Sequence, residues 1–431
     1  MVLTPVVLTS PYPIGTVKGP GENGNQYVFI TADNRQVKIG EFVYYEARTS
    51  QNNGSQPELL QILGKISARC LIDHLPDRIF ADTEISPEAI AALVGFVHPN
   101  PEIYEVTVDV IGYFHPALGF MNPRMTPDPG AKVYLASDES LKQVLSKKQP
   151  EEVGSAYIGS LLLREPGAVP IALDVKELVS THMAILAGTG SGKSYTAGVL
   201  VEELLLPHNR AAVLIFDPHG EYGTLSDMRG HPAFQAADGY APKVKVLTPD
   251  DVKIRVSSLD YYDILTLLPE MSDRQQSILN KAFLIVKKHK YGDYRWGVSD
   301  LIAAVFEADR TQDDEGNEKV GTSAPAIEWK LEKLARSRYF DTMDHLSPKD
   351  LFEPGQVTVL QMNEISQEEQ QVICAAVLRQ ANQARMNTQK ELITPDDENY
   401  LPYPVFILVE EAQRYAPAHE PSRCTMILRT I

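Results

Sequence analysis

The sequence predicts an α/β fold that is preceded by a small β-rich domain and interrupted by a helical insertion. A glycine-rich loop at residues 187–194 separates an apolar run from a segment with helical spacing. Further apolar runs, typical of buried strands, lie at 212–217, 357–362 and 405–409. Residues 1–136 contain short β-branched or aromatic runs bounded by Gly, Pro and Asn. Buried strands that alternate with helical segments predict a parallel sheet covered by helices.

Composition sets the broad class of protein. The chain has 431 residues and a formal net charge of −17 at pH 7, which fits two or three domains. The acidic balance argues against a general basic coat for nucleic acid, although a locally basic pore or loop stays possible. Cys70, Cys374 and Cys424 are far apart and have no metal-ligand spacing, so we expect reduced cytosolic thiols. We find no signal peptide and no membrane-spanning run, so we expect a cytoplasmic protein without a membrane partner.

The first domain is predicted to be a small β-barrel over residues 1–136. Its predicted strands include 14–17, 26–30, 42–45, 62–66 and 104–111. Many short strands with such turns are typical of barrels, although a small β domain of another kind used for packing or assembly fits the pattern as well. Residues 137–150 are polar and charged and are expected to form a linker.

The glycine-rich loop has the sequence of a phosphate-binding loop. It reads Ala187-Gly188-Thr189-Gly190-Ser191-Gly192-Lys193-Ser194. The run 183–186 predicts a buried strand before it, and 195–206 predicts a helix after it, which is the context that such a loop requires. Glycines let the backbone N–H groups face a phosphate, and the helix N-terminus adds a favourable partial charge.

Each polar group of the loop then has an expected role. Lys193 is predicted to reach the β- and γ-phosphates of ATP, and the Ser194 hydroxyl is predicted to bind Mg²⁺. The predicted nucleotide-binding set is Gly188, Thr189, Gly190, Ser191, Gly192, Lys193, Ser194 and Tyr195. A purely structural glycine turn is the alternative, and the Gly-Lys-Ser spacing argues against it.

The strand predicted at 212–217 ends in a carboxylate, Asp217, before a turn that contains His219. Parallel sheets present ligands at the carboxyl ends of their strands, so Asp217 is a candidate nucleotide contact. An alternative of about equal weight is that Asp217 only caps the turn. His219 is expected to brace this turn.

The region 260–350 is predicted to be a helical insertion that divides the α/β core into 151–259 and 351–431. Ser272 and Gln275 form a capping box, followed by five apolar residues on one helix face. These residues are Ile278, Leu279, Ala282, Phe283 and Val286. Residues 309–325 are polar with Gly and Pro and are expected to form a loop.

Paired acids follow the strand predicted at 405–409. With a phosphate-binding loop upstream, Glu410 is assigned to Mg²⁺ and Glu411 to the attacking water, as a general base or water-positioning group. Lys193, Glu410 and Glu411 are therefore the catalytic candidates. The alternative is a buried strand that ends in exposed acids at a helix start.

These motifs together resemble a known family. The stretches 182–194, 213–222 and 409–412 look like the HerA branch of the HerA–FtsK ring ATPases, and the similarity covers nearly the whole chain. The N-terminal domain resembles the HAS barrel of that family, and the helical insertion has the same place. The resemblance implies a RecA-like P-loop ATPase core that uses ATP and Mg²⁺. It also implies a homo-hexameric ring that moves along double-stranded DNA. The implied partner is a NurA-like nuclease in DNA-end processing, or another effector in anti-phage defence.

Two departures from the family qualify the resemblance. Gln413 stands where the family often has His, so γ-phosphate sensing is expected to differ there. The arginine-rich segment and the polar sensor strand of the family would follow Ile431, so we expect the 431 residues to be part of a longer protein. In this class of ATPase that strand lies between the phosphate-loop strand and the strand that carries the paired acids.

The sequence leaves other functions open. The main alternative to a motor is an ATP-binding ring scaffold that assembles or licenses an effector without moving along DNA. A rotary ATP-synthase-like subunit shares the layout of barrel and core, but the paired acids fit the HerA pattern better.

Overall fold

The computed structural model describes residues 12–32, 36–48, 59–72, 89, 102–115, 119–122, 126–188, 190–268, 270–290, 295–312, 318–417 and 422–429. The chain divides into two compact units. The first comprises Met1–Glu151 and Tyr157–Leu173, and the second comprises Glu152–Ala156 and Asp174–Ile431.

The first unit is a closed antiparallel barrel. Its strands are β1 (Pro13–Pro20), β2 (Gln26–Thr31), β3 (Phe42–Arg48), β4 (Leu59–Leu71), β5 (Tyr104–His115), β6 (Gly119–Met121) and β7 (Lys132–Leu135). The strand order is β2-β1-β7-β3-β4-β5-β6, and β2 also pairs with β5, which closes the barrel. Alternate residues point inward, and Tyr27 and Phe29 on β2 are fully buried. All five predicted strands of this unit are confirmed.

The segment 137–150, which was predicted as a linker, contains helix α1 (Asp138–Leu145). Ser137 caps this helix and accepts a hydrogen bond from the backbone N–H of Ser140. Leu141 is fully buried in an apolar cluster with Tyr44 of the barrel. One apolar side chain and a good cap are enough to fix a short helix whose other residues are polar.

The remaining strands include two pairs and one hairpin outside the main sheet. They are β8 (Ser155–Ser160) with β9 (Pro170–Asp174), β12 (Ile254–Arg255) with β15 (Phe340–Asp341), and β13 (Arg310–Gln312) with β14 (Glu318–Val320).

The second unit is built on a parallel sheet of four described strands. These are β10 (Ala212–Asp217), β11 (Lys243–Leu247), β16 (Gln356–Gln361) and β17 (Val405–Val409), in the order β11-β16-β10-β17. Its helices are α2 (Val175–Leu178), α3 (Lys193–Leu205), α4 (Tyr261–Leu267), α5 (Asp273–His289), α6 (Val298–Ala308), α7 (Ser323–Ala335), α8 (Pro348–Leu351), α9 (Gln367–Gln389) and α10 (Arg423–Leu428). All three apolar runs that were predicted as strands at 212–217, 357–362 and 405–409 are confirmed.

Both faces of this sheet are covered. Val213 and Ile215 of β10 belong to an apolar cluster that includes Leu200 of α3. Leu214 and Phe216 point the other way, into a larger cluster formed with the insertion helices and α9. Strands buried on both faces read as continuous apolar runs, which explains why they could be found in the sequence.

The insertion contains helices α4 to α7. The capping box predicted for α5 is present, and all five apolar residues predicted for its inner face are buried. The loop predicted at 309–325 is instead partly structured, because it includes the β13–β14 hairpin. Asp309 is buried and accepts hydrogen bonds from the N–H groups of Ser323 and Ala324, which fixes the start of α7.

The buried strand predicted at 183–186 is not observed. Residues 182–188 have no strand pairing, and Met183 and Leu186 are 41% and 90% exposed. In the part of the chain that the structure describes, the sheet ends at β11 on one side and β17 on the other, and this apolar run pairs with neither edge. None of the described helices combines the length and the apolar character that crossing a membrane requires.

Candidate active site

The glycine-rich loop leads directly into the first turn of α3. Gly190 and Gly192 have φ angles of 77° and 91°, in the left-handed region that glycine adopts without steric cost. No side chain caps the start of α3, so its first N–H groups have no side-chain acceptor. The space around Gly188, Gly190 and Gly192 is open, since a Cβ atom built there would meet nothing within 4 Å. Such a loop can accept a phosphate against backbone N–H groups.

The remaining loop residues differ in how they are placed. Thr189 lies outside the described residues. The Ser191 hydroxyl donates to the carbonyl of Gly188, which holds the loop in its turn. Ser194 is half-buried in the first turn of α3, whereas Tyr195 is 78% exposed.

Lys193 brings the loop together with the paired acids that follow β17. Its Nζ forms an ion pair with Oε1 of Glu411 and lies 3.9 Å from Oε2 of Glu410. The hydrogen bond to Glu411 raises the pKa of Lys193, and the same bond is the first cause that lowers the pKa of Glu411. Three residues predicted as catalytic from distant stretches therefore meet at one point.

Glu410 is more enclosed than its neighbour Glu411. Its side chain is 8% exposed, against 26% for Glu411. The Glu410 N–H donates to the carbonyl of Phe216 at 3.2 Å, which continues the β10–β17 ladder to this residue. Its Oε1 accepts a hydrogen bond from the hydroxyl of Tyr222, which is itself buried. Burial, followed by the bond to Glu410, raises the pKa of Tyr222 well above its ordinary value, so this hydroxyl stays a donor.

Tyr222 is a residue of the site that was not predicted from the sequence. It appears only within the stretch 213–222 that carries the family resemblance. A tyrosine after a turn gives no sign of which acid its hydroxyl will reach, because that depends on the pairing of β10 with β17.

Asp217 caps the turn after β10, and both of its carboxylate oxygens accept backbone N–H groups. Its Oδ1 accepts from the N–H groups of His219, Gly220 and Glu221 at 3.2, 2.7 and 3.2 Å. Its Oδ2 accepts from the N–H of Tyr222 at 3.1 Å. The side chain is 1% exposed. These contacts are those of the capping alternative, and they fix the turn beside the site.

Glu411 has an unusual backbone for a residue that is not glycine. Its φ and ψ angles are 49° and 51°, in the left-handed helical region. A short 3₁₀ helix, Ala412–Arg414, follows it. The side-chain amide of Gln413 donates to Oε2 of Glu411, so the residue that replaces the expected His contacts the acid assigned to water.

The donor set fits a magnesium ion that is shared with phosphate groups. The described residues contain no cluster of three or more His, Cys, Asp or Glu side chains that could hold a metal. Mg²⁺ commonly binds through one or two protein oxygens together with substrate phosphates and water. The Ser194 hydroxyl and Glu410 can supply the protein oxygens, and the open loop leaves room for the phosphates.

The chain is similar to a family of helicases. A family model described as the central domain of the helicase HerA matches residues 156–381, which is more than half of the chain. A probable helicase of Methanocaldococcus jannaschii is 27% identical over 310 residues, covering 72% of this chain and 55% of the relative.

Two similar relatives carry the name DNA double-strand break repair helicase HerA. The protein from Pyrococcus furiosus is 25% identical over 342 residues, which cover 70% of this chain and 57% of the relative. The protein from Sulfolobus acidocaldarius is 29% identical over 303 residues, which cover 68% of this chain and 54% of the relative. The chain thus spans little more than half the length of these relatives.

Proposed function

This chain belongs to the family of the helicase HerA, and on that premise we propose that it is an ATP-hydrolysing motor that moves along double-stranded DNA. The observation that carries the proposal is the contact of Lys193 with Glu411 and its approach to Glu410. A phosphate-binding loop that faces a pair of acids at a sheet edge has the parts that phosphoryl transfer needs.

Each side chain has a role in the proposed reaction. The loop N–H groups and Lys193 would bind the β- and γ-phosphates, and Ser194 and Glu410 would hold Mg²⁺. When bound, Mg²⁺ neutralises charge on the transferring phosphoryl group. Glu411 orients and polarises the attacking water, and Gln413 holds the Glu411 carboxylate through its amide. ATP binding draws Lys193 away from Glu411 towards phosphate, which leaves the Glu411 carboxylate available to water.

The assembly is also part of the proposal. We infer a RecA-like core in a homo-hexameric ring, with the N-terminal barrel as a HAS barrel. The names of the relatives support DNA as the substrate and break repair as the setting. A NurA-like nuclease, or another effector in anti-phage defence, is the proposed protein partner.

The test is to measure the rate of ATP hydrolysis with and without double-stranded DNA. The wild type is compared with the variants Lys193→Ala and Glu411→Gln. We expect DNA to raise the rate of the wild type and each substitution to lower it by about 100-fold or more. Glu411→Gln should still bind ATP, because its carboxylate acts on water and not on the nucleotide. Glu202→Gln, which removes an exposed acid of α3, is the matched control and should behave as the wild type.

Two outcomes would change the proposal. Hydrolysis that is indifferent to DNA would favour the ring scaffold over the motor. Full activity in Lys193→Ala would overturn the assignment of the loop itself.

A further inference from the structure

We propose that Tyr222 is a positioning residue that holds Glu410 in the orientation in which one of its oxygens faces Mg²⁺. This inference rests on the proposed ATPase function. It assigns a task to a residue outside both the phosphate-binding loop and the paired acids.

The position of the Tyr222 hydroxyl is fixed from two sides. The backbone N–H of Tyr222 donates to Oδ2 of Asp217 at 3.1 Å. The other N–H groups of this turn donate to the same carboxylate. The Tyr222 ring is 4% exposed and lies in the apolar cluster that contains Ile215 of β10 and Leu225. A ring with its backbone anchored and its sides packed has little freedom, so its hydroxyl marks a defined point.

The two oxygens of Glu410 are used differently. Oε1 accepts the Tyr222 hydroxyl, whereas Oε2 lies 3.9 Å from Nζ of Lys193, on the side of the phosphate-binding loop. The backbone of Glu410 is held by its bond to Phe216. With one oxygen bonded to a rigid donor, the other is the oxygen left for a cation.

Tyr222 also makes two adjacent acids unequal. Glu411 is bonded by Lys193 and Gln413, both flexible side chains, and its side chain is three times as exposed as that of Glu410. A carboxylate on a rigid donor suits metal binding, and a more exposed one on mobile partners suits contact with water. The hydrogen bond from Tyr222 is therefore the structural basis for assigning the metal to Glu410.

Outer hydrogen bonds of this kind affect metal sites strongly. Removing a group that orients a carboxylate ligand typically costs 10- to 100-fold in metal affinity or activity. The expected effect for Tyr222 is at the lower end of that range, since Mg²⁺ is also held by Ser194 and by the phosphates.

The experiment compares Tyr222→Phe with Tyr415→Phe. Both substitutions remove one hydroxyl from a buried ring and keep the ring. Tyr415 packs near Phe216, with ring centres 6.3 Å apart, and its hydroxyl has no hydrogen-bond partner among the described residues. It is therefore a matched control for the loss of a buried tyrosine hydroxyl beside β10.

The first readout is direct metal binding. Mn²⁺ is titrated into the protein in the presence of a non-hydrolysable ATP analogue, and free Mn²⁺ is measured by electron paramagnetic resonance. We expect Tyr222→Phe to bind Mn²⁺ about 10-fold more weakly than the wild type, and Tyr415→Phe to match the wild type. Binding of the analogue in EDTA should be the same in all three proteins, which also shows that the loop is folded.

The second readout is hydrolysis as a function of Mg²⁺ concentration. Tyr222→Phe should need about 10-fold more Mg²⁺ for half-maximal rate and should recover most of the wild-type rate at saturating Mg²⁺. A merely structural role would lower the rate at every Mg²⁺ concentration and would weaken binding of the analogue in EDTA.

The outcomes separate the two proposals. If Tyr222→Phe binds Mn²⁺ as tightly as the wild type, the positioning role is overturned whether or not the protein hydrolyses ATP. If the wild type binds Mn²⁺ with the analogue but does not hydrolyse ATP, the proposed function fails while the comparison of Mn²⁺ affinities still decides the role of Tyr222. A wild type that binds no Mn²⁺ with the analogue overturns both.

Discussion

At Asp217, one buried carboxylate determines the path of the chain beside the candidate active site. It accepts four backbone N–H groups, from His219 to Tyr222, and so makes the tight turn after β10 possible. Of these four donors only the N–H of Tyr222 is fully buried, and a buried backbone donor needs such an acceptor. The position of the Tyr222 ring follows from this turn. Asp217 therefore influences Glu410 indirectly, through the position of the Tyr222 hydroxyl.

Replacing Asp217 by Ala should therefore destabilise the second unit. The buried N–H of Tyr222 and three partly buried N–H groups would lose their acceptor. Because one buried unsatisfied group costs about 1–3 kcal/mol, we expect a loss on the order of 3 kcal/mol. Urea unfolding measures this change. The control is Asp238→Ala, which removes an exposed acid paired with Arg210 and should lower the free energy of unfolding much less. Equal losses in both variants would contradict the capping role.

Sequence reasoning reached the residues of the site but not all of their contacts. Lys193, Glu410 and Glu411 could be predicted because each follows a strong local pattern of glycines or apolar residues. The bond between Tyr222 and Glu410 joins residues 188 positions apart, and no local pattern encodes it. Asp217 had two interpretations of equal weight, and only the turn geometry distinguishes them.

At the scale of elements, a group of charges around one buried carboxylate joins α4, α9 and α10. Asp263 on α4 is fully buried and pairs with Arg379 of α9 and Arg423 of α10. Asp260, which caps α4, pairs with the same two arginines. Burial raises the pKa of Asp263, and the charge of Arg379 opposes this rise. The charges hold the segment after the paired acids against the first helix of the insertion.

Removal of one arginine from this group should be costly. Arg379→Met leaves Asp263 buried with one partner fewer, and we expect a loss of about 3 kcal/mol at pH 7.5. Asp263→Asn, which removes the buried negative charge instead, is the comparison variant and should lose less. Unfolding in urea measures both.

The pH dependence of this loss has a definite sign. The substitution raises the pKa of Asp263 in the folded state further above its unfolded value, so the folded state binds the extra proton as pH falls. The deficit of Arg379→Met relative to the wild type should therefore shrink between pH 7.5 and pH 5. A deficit that grows towards acid pH would contradict the account.

Helices and strands could be predicted where a short stretch of sequence specifies them. Strands buried on both faces and helices with capping boxes were found because neighbouring residues specify them. The predictions failed where a distant partner decides. Residues 183–186 are apolar enough for a strand but have no described strand beside them, and α1 is mostly polar but is fixed by Leu141 in the barrel cluster.

At the scale of the whole molecule, the two units differ in the environment of their thiols. Cys70 lies on β4 of the first unit and is exposed, whereas Cys374 and Cys424 are buried in the second unit. Burial raises the pKa of the Cys374 thiol well above its ordinary value. A buried thiol with a raised pKa has little reactive thiolate.

The native protein should therefore show one fast-reacting thiol with Ellman's reagent and three after unfolding in guanidinium. Cys70→Ser should abolish the fast phase and leave the slow phase unchanged, whereas Cys374→Ser should leave the fast phase unchanged. Fast reaction of all three thiols in the native protein would show that the second unit is less tightly closed than described.

The backbone of Glu411 has a consequence for how the sequence of this region can vary. A non-glycine residue at φ 49° carries a conformational cost that Gly or Asn would largely avoid. Selection for stability alone would therefore favour Gly or Asn at this position. Backbone strain of this kind persists where a function requires the side chain. Under the proposed role of Glu411, position 411 is a compromise between stability and activity, in which the fold tolerates a poorly suited residue for the sake of its carboxylate.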